Sequence, residues 1–456
     1  MKHLWVILAY AVMLLAGRNT GAQTIRVSCP LFFKDGHHRI TCVEALLKQD
    51  SYHFTLASLP PSNGFGPGLV LTHVSRGTIS GGDEEVDLSA TGAVTTNSSW
   101  FAGGDLTWSL PFRSTDTSES EKDLASASLK NWHGTALHLQ AAHRSVRTLY
   151  FYGEGSRSPA ARFIYAEDDT WVKVEGRVPL SRTLVLVGES GLLVTTLPLV
   201  DDSATVTANI PATATPGISQ QPLLLHSKLG MESRVSTRLG HPVRPLPDGE
   251  PHLQPFAEVV FENNAAVHWQ HPTDGSPFAF SQFRWDGDEH ADLRAWIRSG
   301  YHPKEHPVLY HLQCQESNKR PGPCDLAQFH VRSRLILSDT SGSDQVPFYL
   351  QPTLGGSDIE NNTTLRGWDD YRFRDRDAAL LQFEGDYLVW DPFGIYLFYD
   401  AGTVGNKAAD LAIGQFRQDA GVGLSARVQG SIVAQTYLAW GRGGGGRWSF
   451  NFAKVF

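Results

Sequence analysis

Arg447-Trp448-Ser449-Phe450-Asn451-Phe452-Ala453-Lys454-Val455-Phe456 ends the sequence, and its alternation decides the fold. Successive side chains of a strand point to opposite faces. Trp448, Phe450, Phe452 and Phe456 therefore share one face, with Lys454 as the exception, while Arg447, Ser449 and Asn451 share the other. A soluble sheet uses such a strand with its aromatics on a core. A transmembrane barrel uses it with aromatics toward lipid and polar groups toward the lumen.

The same period of two runs back through the chain. Stretches 69–74, 86–91, 100–112, 135–152, 171–180, 183–197, 256–269, 277–285 and 329–338 alternate, separated by Gly, Pro, Asn, Asp and Ser. After Arg374 come 378–390, 394–404, 416–428, 432–440 and 447–456, and the ladder as a whole starts near Tyr52. No long amphipathic helix interrupts them, so the fold class is all-β. Parity sorts the residues chemically. Gln382, Glu384 and Asp386 fall on one face, Asp400 falls opposite Leu397 and Tyr399, and Asp419, Gly421, Gly423, Ser425 and Arg427 fall opposite Ala, Val and Leu. Segments 179–182 and 271–276 read as tight turns, while 198–255 and 340–375 read as long polar connections. Short turns at one rim and long loops at the other characterise outer-membrane barrels.

Met1-Lys2-His3, an apolar run over 4–15 and the small, polar stretch ending at Ala22 read as a secretory signal peptide, 1–22. No later segment approaches the roughly 18 uninterrupted apolar residues of a membrane helix. Segment 23–50 is too short for a further domain of any size. Cys29 with Cys42, and Cys314 with Cys324, are close in sequence; in an oxidising compartment two local disulfides are expected, with Cys-His metal sites as the alternative. A net charge of −8 spread along the chain argues against a nucleic-acid partner.

The ordered set Leu354-Gly355-Gly356-Ser357, Leu365-Arg366-Gly367-Trp368-Asp369-Asp370-Tyr371-Arg372-Phe373-Arg374-Asp375, Phe398-Tyr399-Asp400-Ala401-Gly402-Thr403-Val404 and Asp419-Ala420-Gly421-Val422-Gly423-Leu424 resembles the bacterial surface-antigen barrel family. That family includes the BamA and TamA assembly factors and two-partner secretion transporters. The closing aromatic strand resembles the C-terminal assembly signal of outer-membrane barrels, carried here by Trp448, Phe450, Phe452 and Phe456. Tyr152-Gly153-Glu154-Gly155 and the 256–280 hairpin match more loosely.

The resemblance implies a transmembrane antiparallel barrel of about sixteen strands over 51–456. It also implies a loop, 340–375, folded back into the lumen, with Arg366 at its tip meeting acids of two following strands, here Glu384 and Asp400. Leu365, Gly367 and Trp368 complete that tip. Trp368 departs from the usual Phe or Tyr, and 359–363 looks like an insertion. The periplasmic repeat domains of the working family members have no counterpart between 23 and 50.

No enzyme constellation is found. Gly188-Glu189-Ser190-Gly191 lacks the spacing and the strand-to-helix setting of a nucleophile elbow. Prolines break the superficially zinc-like run 302–306. The acidic run 286–292 reads as a solvated loop, and 97–99 and 362–364 as sequons meaningful only in a eukaryotic secretory route. The chain is accordingly read as a non-enzymatic barrel without metal or cofactor. Its expected partners are outer-membrane lipid and unfolded outer-membrane proteins or periplasmic chaperones. A passive pore or surface-interaction barrel is the first alternative, a soluble secreted β-sandwich the second.

Overall fold

The computed structural model describes residues 52–59, 63–79, 82–110, 135–157, 161–181, 184–200, 215, 217–218, 221–234, 252–270, 277–292, 328–342, 346–359, 362–390, 393–428, 431–442 and 445–452. Cys29, Cys42, Cys314, Cys324, Phe456 and the stretch 1–22 read as a signal peptide lie outside them. The strands are β1 (Tyr52–Ser58), β2 (Phe65–Ile79), β3 (Gly82–Val94), β4 (Trp100–Leu110), β5 (Thr135–Phe151), β6 (Phe163–Pro179), β7 (Leu184–Thr196), β8 (Leu223–Arg234) and β9 (His252–Gln270). They continue with β10 (Pro277–Asp292), β11 (Gln328–Gly342), β12 (Thr353–Leu354), β13 (Phe373–Arg374), β14 (Asp377–Trp390), β15 (Phe393–Gly405), β16 (Arg417–Val428), β17 (Ser431–Gly441) and β18 (Gly445–Phe452).

Sixteen of them form one antiparallel sheet in which each strand pairs with its neighbours in sequence; β12 and β13 form a separate two-residue ladder inside the β11–β14 connection. The sheet curls into a barrel. Strands β1 and β18, at the two ends of the sheet, approach each other. The β11–β14 loop bonds on one side to Tyr165 of β6 and on the other to Asp400 of β15 and through Arg447 to β18.

The alternation read at the end of the chain has an unusual polarity. In β15 Phe393, Ile395, Leu397 and Tyr399 face outward, with Leu397 at 64% exposure, while Tyr396, Phe398 and Asp400 are buried inside. Trp448 and Phe450 of β18, Trp440 and Leu438 of β17, and Val422 and Leu424 of β16 are likewise exposed. Asp386, Asp400, Asp419, Gln382, Arg366 and Arg374 are buried within. An exterior of large apolar side chains around a polar interior reverses the distribution of a soluble sandwich and matches a barrel facing hydrocarbon.

Three sequence readings need correction. The stretch 198–255 is not one connection, because it contains β8. Leu224, His226, Lys228, Gly230 and Glu232 point inward there, against Leu225, Leu229 and Met231 outward; the leading Leu triplet blurs the period. The acidic run 286–292 is strand, paired on both sides with β9 and β11, and the two ladders outweigh the poor strand propensity of Asp and Gly. The connections read as tight turns at 179–182 and 271–276 follow β6 and β9, an even and an odd strand of an up-and-down order, so short connections are not confined to one rim. Long connections also occur at both rims, after β8 and after β11, and length does not distinguish the two.

Candidate functional site: a loop locked into the lumen

The β11–β14 loop is held by its own backbone before it meets the wall. Gly356 N–H donates to Leu365 O at 2.7 Å and Thr364 N–H returns to Gly356 O at 3.0 Å, so 354–357 pairs with 363–366. Gly355 (φ +115°) and Gly356 (φ +55°) make the turn, in conformations L side chains rarely adopt; a Cβ at Gly355 would lie 2.4 Å from Asp369 O. Leu354, Leu365, Trp368 and Phe373 pack with Ala378, Leu380 and Val404 of the wall as an apolar plug inside the polar lumen. Trp368 meets Phe373 edge-on at 5.1 Å, so the bulkier ring fills its place within a packed pair.

Arg366 lies at the tip. Its Nε and Nη2 donate to Asp400 Oδ2 and Oδ1, each at 2.8 Å, and Nη1 donates to Glu384 Oε2 at 2.6 Å. The guanidinium carbon stands 3.6 Å over the Phe398 ring. This is the two-pronged carboxylate geometry that arginine offers and lysine does not. Asp400 is fully buried and also accepts from Gln382 Nε2 at 3.2 Å, while Gln382 bonds the loop at Thr364 O (2.9 Å). The carboxylates hold the Arg366 guanidinium above its ordinary pKa despite its burial.

Gly367 explains the second letter of the motif. A Cβ there would fall 2.6 Å from Asp419 Cβ and 2.7 Å from the amide nitrogen of Gly441, so loop backbone lies directly on wall backbone. Gly441 reciprocates: a Cβ on it would meet Gly367 O at 2.9 Å. Arg366, Glu384 and Asp400 are thus brought together, with Leu365, Gly367 and Trp368 around them. Trp448 and Phe450 sit apart, on the outer surface; the side chain of Phe452 is outside the described set.

Three further arginines anchor the loop and were not singled out by sequence. Arg374, 1% exposed, donates from Nη1 to Phe348 O and from Nη2 to Tyr165 OH, both at 2.8 Å, among the rings of Phe151, Tyr165 and Phe348. Arg447 of β18 donates to Trp368 O and, at 2.6 Å, to Asp370 Oδ1. Arg144 of β5 donates to Ile359 O at 3.0 Å, which ties the first residue of the stretch read as an insertion to the wall. The polar parity of Arg447 was legible. Nothing in the sequence pairs Arg374 with Tyr165, more than two hundred positions away.

No protein-family model matches the chain, and no curated protein does. Among solved structures it is similar to BamA from Haemophilus ducreyi lacking POTRA domains 1–3, at 11% identity over 88% of this chain and 70% of that one (TM-score 0.46). It is also similar to CdiB from Acinetobacter baumannii, at 10% identity over 86% of this chain (TM-score 0.43), of whose length it spans 56%.

Proposed function

We propose that this chain is an outer-membrane β-barrel of the surface-antigen type that works in the assembly, insertion or translocation of proteins. The observation that carries this reading is the Arg366-Gly367-Trp368 tip, folded into the lumen and bonded to Glu384 and Asp400. A loop so held is a plug whose position can be coupled to the state of the wall. The apolar exterior supports a membrane location. In this reading 1–22 is removed on export, the barrel spans 51–456, and Trp448, Phe450, Phe452 and Phe456 form the assembly signal. The partners are membrane lipid and unfolded barrel proteins or the periplasmic chaperones that deliver them. The work is non-enzymatic.

The test has two stages. The protein extracted from purified outer membranes is run on gels boiled and unboiled, after a carbonate wash. Faster migration of the unboiled form and retention in the membrane are expected; a single mobility and release by the wash would leave a soluble β-sandwich. The chain is then depleted in cells and the levels of other outer-membrane barrels are measured. Their fall is expected. Unchanged levels would leave a passive pore or surface-interaction barrel in place of an assembly factor.

A further inference from the structure

Under the loop tip lies an acid for which the lock supplies no cation of its own. Asp419 of β16 stands directly across from Asp400 of β15 in the antiparallel register, so the two side chains share the inner face. Asp419 is 3% exposed and Asp400 is fully buried. The backbone of Gly367 covers Asp419: a Cβ on that glycine would fall 2.6 Å from Asp419 Cβ. The Asp400 carboxyl and the Gly367 backbone are within reach of the Asp419 carboxyl, and Arg366 is within electrostatic range. Neither Oδ1 nor Oδ2 of Asp419 completes a hydrogen bond among the described residues. A buried carboxylate left so is costly, and a like charge directly opposite makes it more so.

The charges on the surrounding elements do not close the gap. From the loop, Arg366 is bonded to Asp400 and Glu384. From β11, Arg332 reaches Glu384 of β14 at 3.7 Å. From β18, Arg447 is engaged with Asp370 of the loop at 2.6 Å. On β16 itself, Arg417 shares the face of Asp419 but directs its guanidinium to Ser156 O at 2.9 Å. Tyr396 of β15 and Tyr437 of β17, buried nearby on the inner face, are phenols and carry no charge in the ordinary working range. With Arg417 and Arg447 directed elsewhere, Glu384, Asp400 and Asp419 are left with Arg366 and Arg332. Asp400, both of whose oxygens meet the Arg366 guanidinium, keeps its charge. What Asp419 lacks, and Asp400 can accept, is a proton, because a protonated carboxyl donates one O–H and needs no cation. Facing carboxyls that cannot both ionise share a proton in this way.

We propose that Asp419 carries a proton while the loop is locked, donates its O–H to Asp400, and makes the lock a pH-dependent catch: loss of that proton to solvent releases the Arg366-Gly367-Trp368 tip. An ionised Asp419 sets a second buried charge against Asp400 where Gly367 excludes water, and lifting the tip admits the water that solvates it. The tip is therefore held below the pH at which Asp419 ionises and loosens above it. The catch belongs to the lock alone and stands whether or not the barrel assembles other proteins, so unchanged barrel levels on depletion would leave it intact. Limited proteolysis of the refolded full chain in detergent, normalised to an unstructured substrate, tests it at about pH 7 and about pH 9.5, both above the value near which Asp375 titrates. Cleavage within 365–368 is expected to be about tenfold faster at the higher pH, and to show no such rise in Asp419→Asn, whose amide donates to Asp400 at every pH. The infrared stretch of a protonated carboxyl should fade in the parent protein over the same range, and the fading component should be missing from Asp419→Asn. Should that variant lose the fast-migrating unboiled form, the infrared titration of the parent beside its own proteolysis decides alone. A tip equally resistant at both pH values, a rise retained in a folded Asp419→Asn, or faster cleavage with no loss of the protonated-carboxyl band would overturn the proposal.

Discussion

Arg366 and Arg374 sit eight positions apart on one loop, both buried, and the barrel satisfies them in opposite ways. Arg366 meets charge with charge: two carboxylates take three of its N–H groups at 2.6–2.8 Å. The hydrogen bonds of Arg374 go to neutral acceptors, a backbone carbonyl and a phenol, and three aromatic rings surround it. A buried ion pair is costly to break because the abandoned partner remains charged in a poor solvent. A cation held by dipoles and ring faces leaves no such partner when removed. The loop therefore has one anchor that fails abruptly and one that loosens.

The largest effect is expected where charge would be orphaned. Arg366→Ala leaves Asp400 buried without its main partner and should cost about 3–5 kcal/mol. The unboiled gel form should then convert to the slow form at a lower temperature, and residues 365–374 should become sensitive to protease. Arg366→Lys should recover little, since an ammonium cannot span both oxygens of Asp400. Adding Asp400→Asn to Arg366→Ala should restore part of the loss. An additive double mutant would mean that the two residues do not act as a pair.

Tyr165→Phe breaks the comparison from the other side. It removes one hydrogen bond to a buried cation, worth about 1.5–3 kcal/mol. No change to a carboxylate should rescue it. Its melting should shift less than that of Arg366→Ala, and protease should find the 346–359 end of the loop before the 365–368 tip. A shift as large as that of Arg366→Ala would show that both anchors are ionic in kind.

This contrast is also the measure of how far the sequence could be read. Strand parity put Glu384 and Asp400 on the polar face, and the family resemblance, through its Arg-Gly-aromatic motif, implied their pairing with Arg366. The all-β, antiparallel character was legible as period two, while the number of strands came only from the family resemblance; the alternation failed at β8, where Leu223-Leu224-Leu225 hides it, and at 286–292, where pairing with neighbouring strands overrides composition. The surroundings of Arg374 were not legible. Tyr165, Phe348 and Phe151 come from β6, the loop and β5, and only the folding of the loop back against the paired β5 and β6 brings them together. Neutral partners leave no complementary charge to look for. The rim assignment failed because connections of both lengths follow odd and even strands alike.

Gly367→Ala sharpens the same comparison without touching charge. The added methyl would meet Asp419 Cβ and the Gly441 amide inside contact distance, and both belong to the wall. Overpacking of this kind costs about 1–3 kcal/mol. The tip should lift while Arg374 holds the far end, so protease sensitivity should be confined to 365–368, with the global melting shift below that of Arg366→Ala. Sensitivity across the whole loop would mean that the two anchors release together.

The last effect, seen only as a dependence on pH, concerns Asp375, between the Arg374 anchor and β14. Burial pushes its carboxyl up to about 6, against an ordinary value of 3.8; the Arg376 amide opposes the shift and Glu154 adds to it. The folded state therefore keeps a proton that the unfolded chain has released between about pH 4 and pH 6. The favourable contribution is complete below the lower value and is lost as pH rises through the upper one. Asp375→Asn is uncharged at every pH and should flatten that slope, so that the variant melts higher than the parent at pH 7.5 and nearly with it at pH 4.5. The effect belongs to the Arg374 end of the loop and should survive in Arg366→Ala. Its disappearance there would show that the tip, held some distance along the chain, also sets the burial of Asp375.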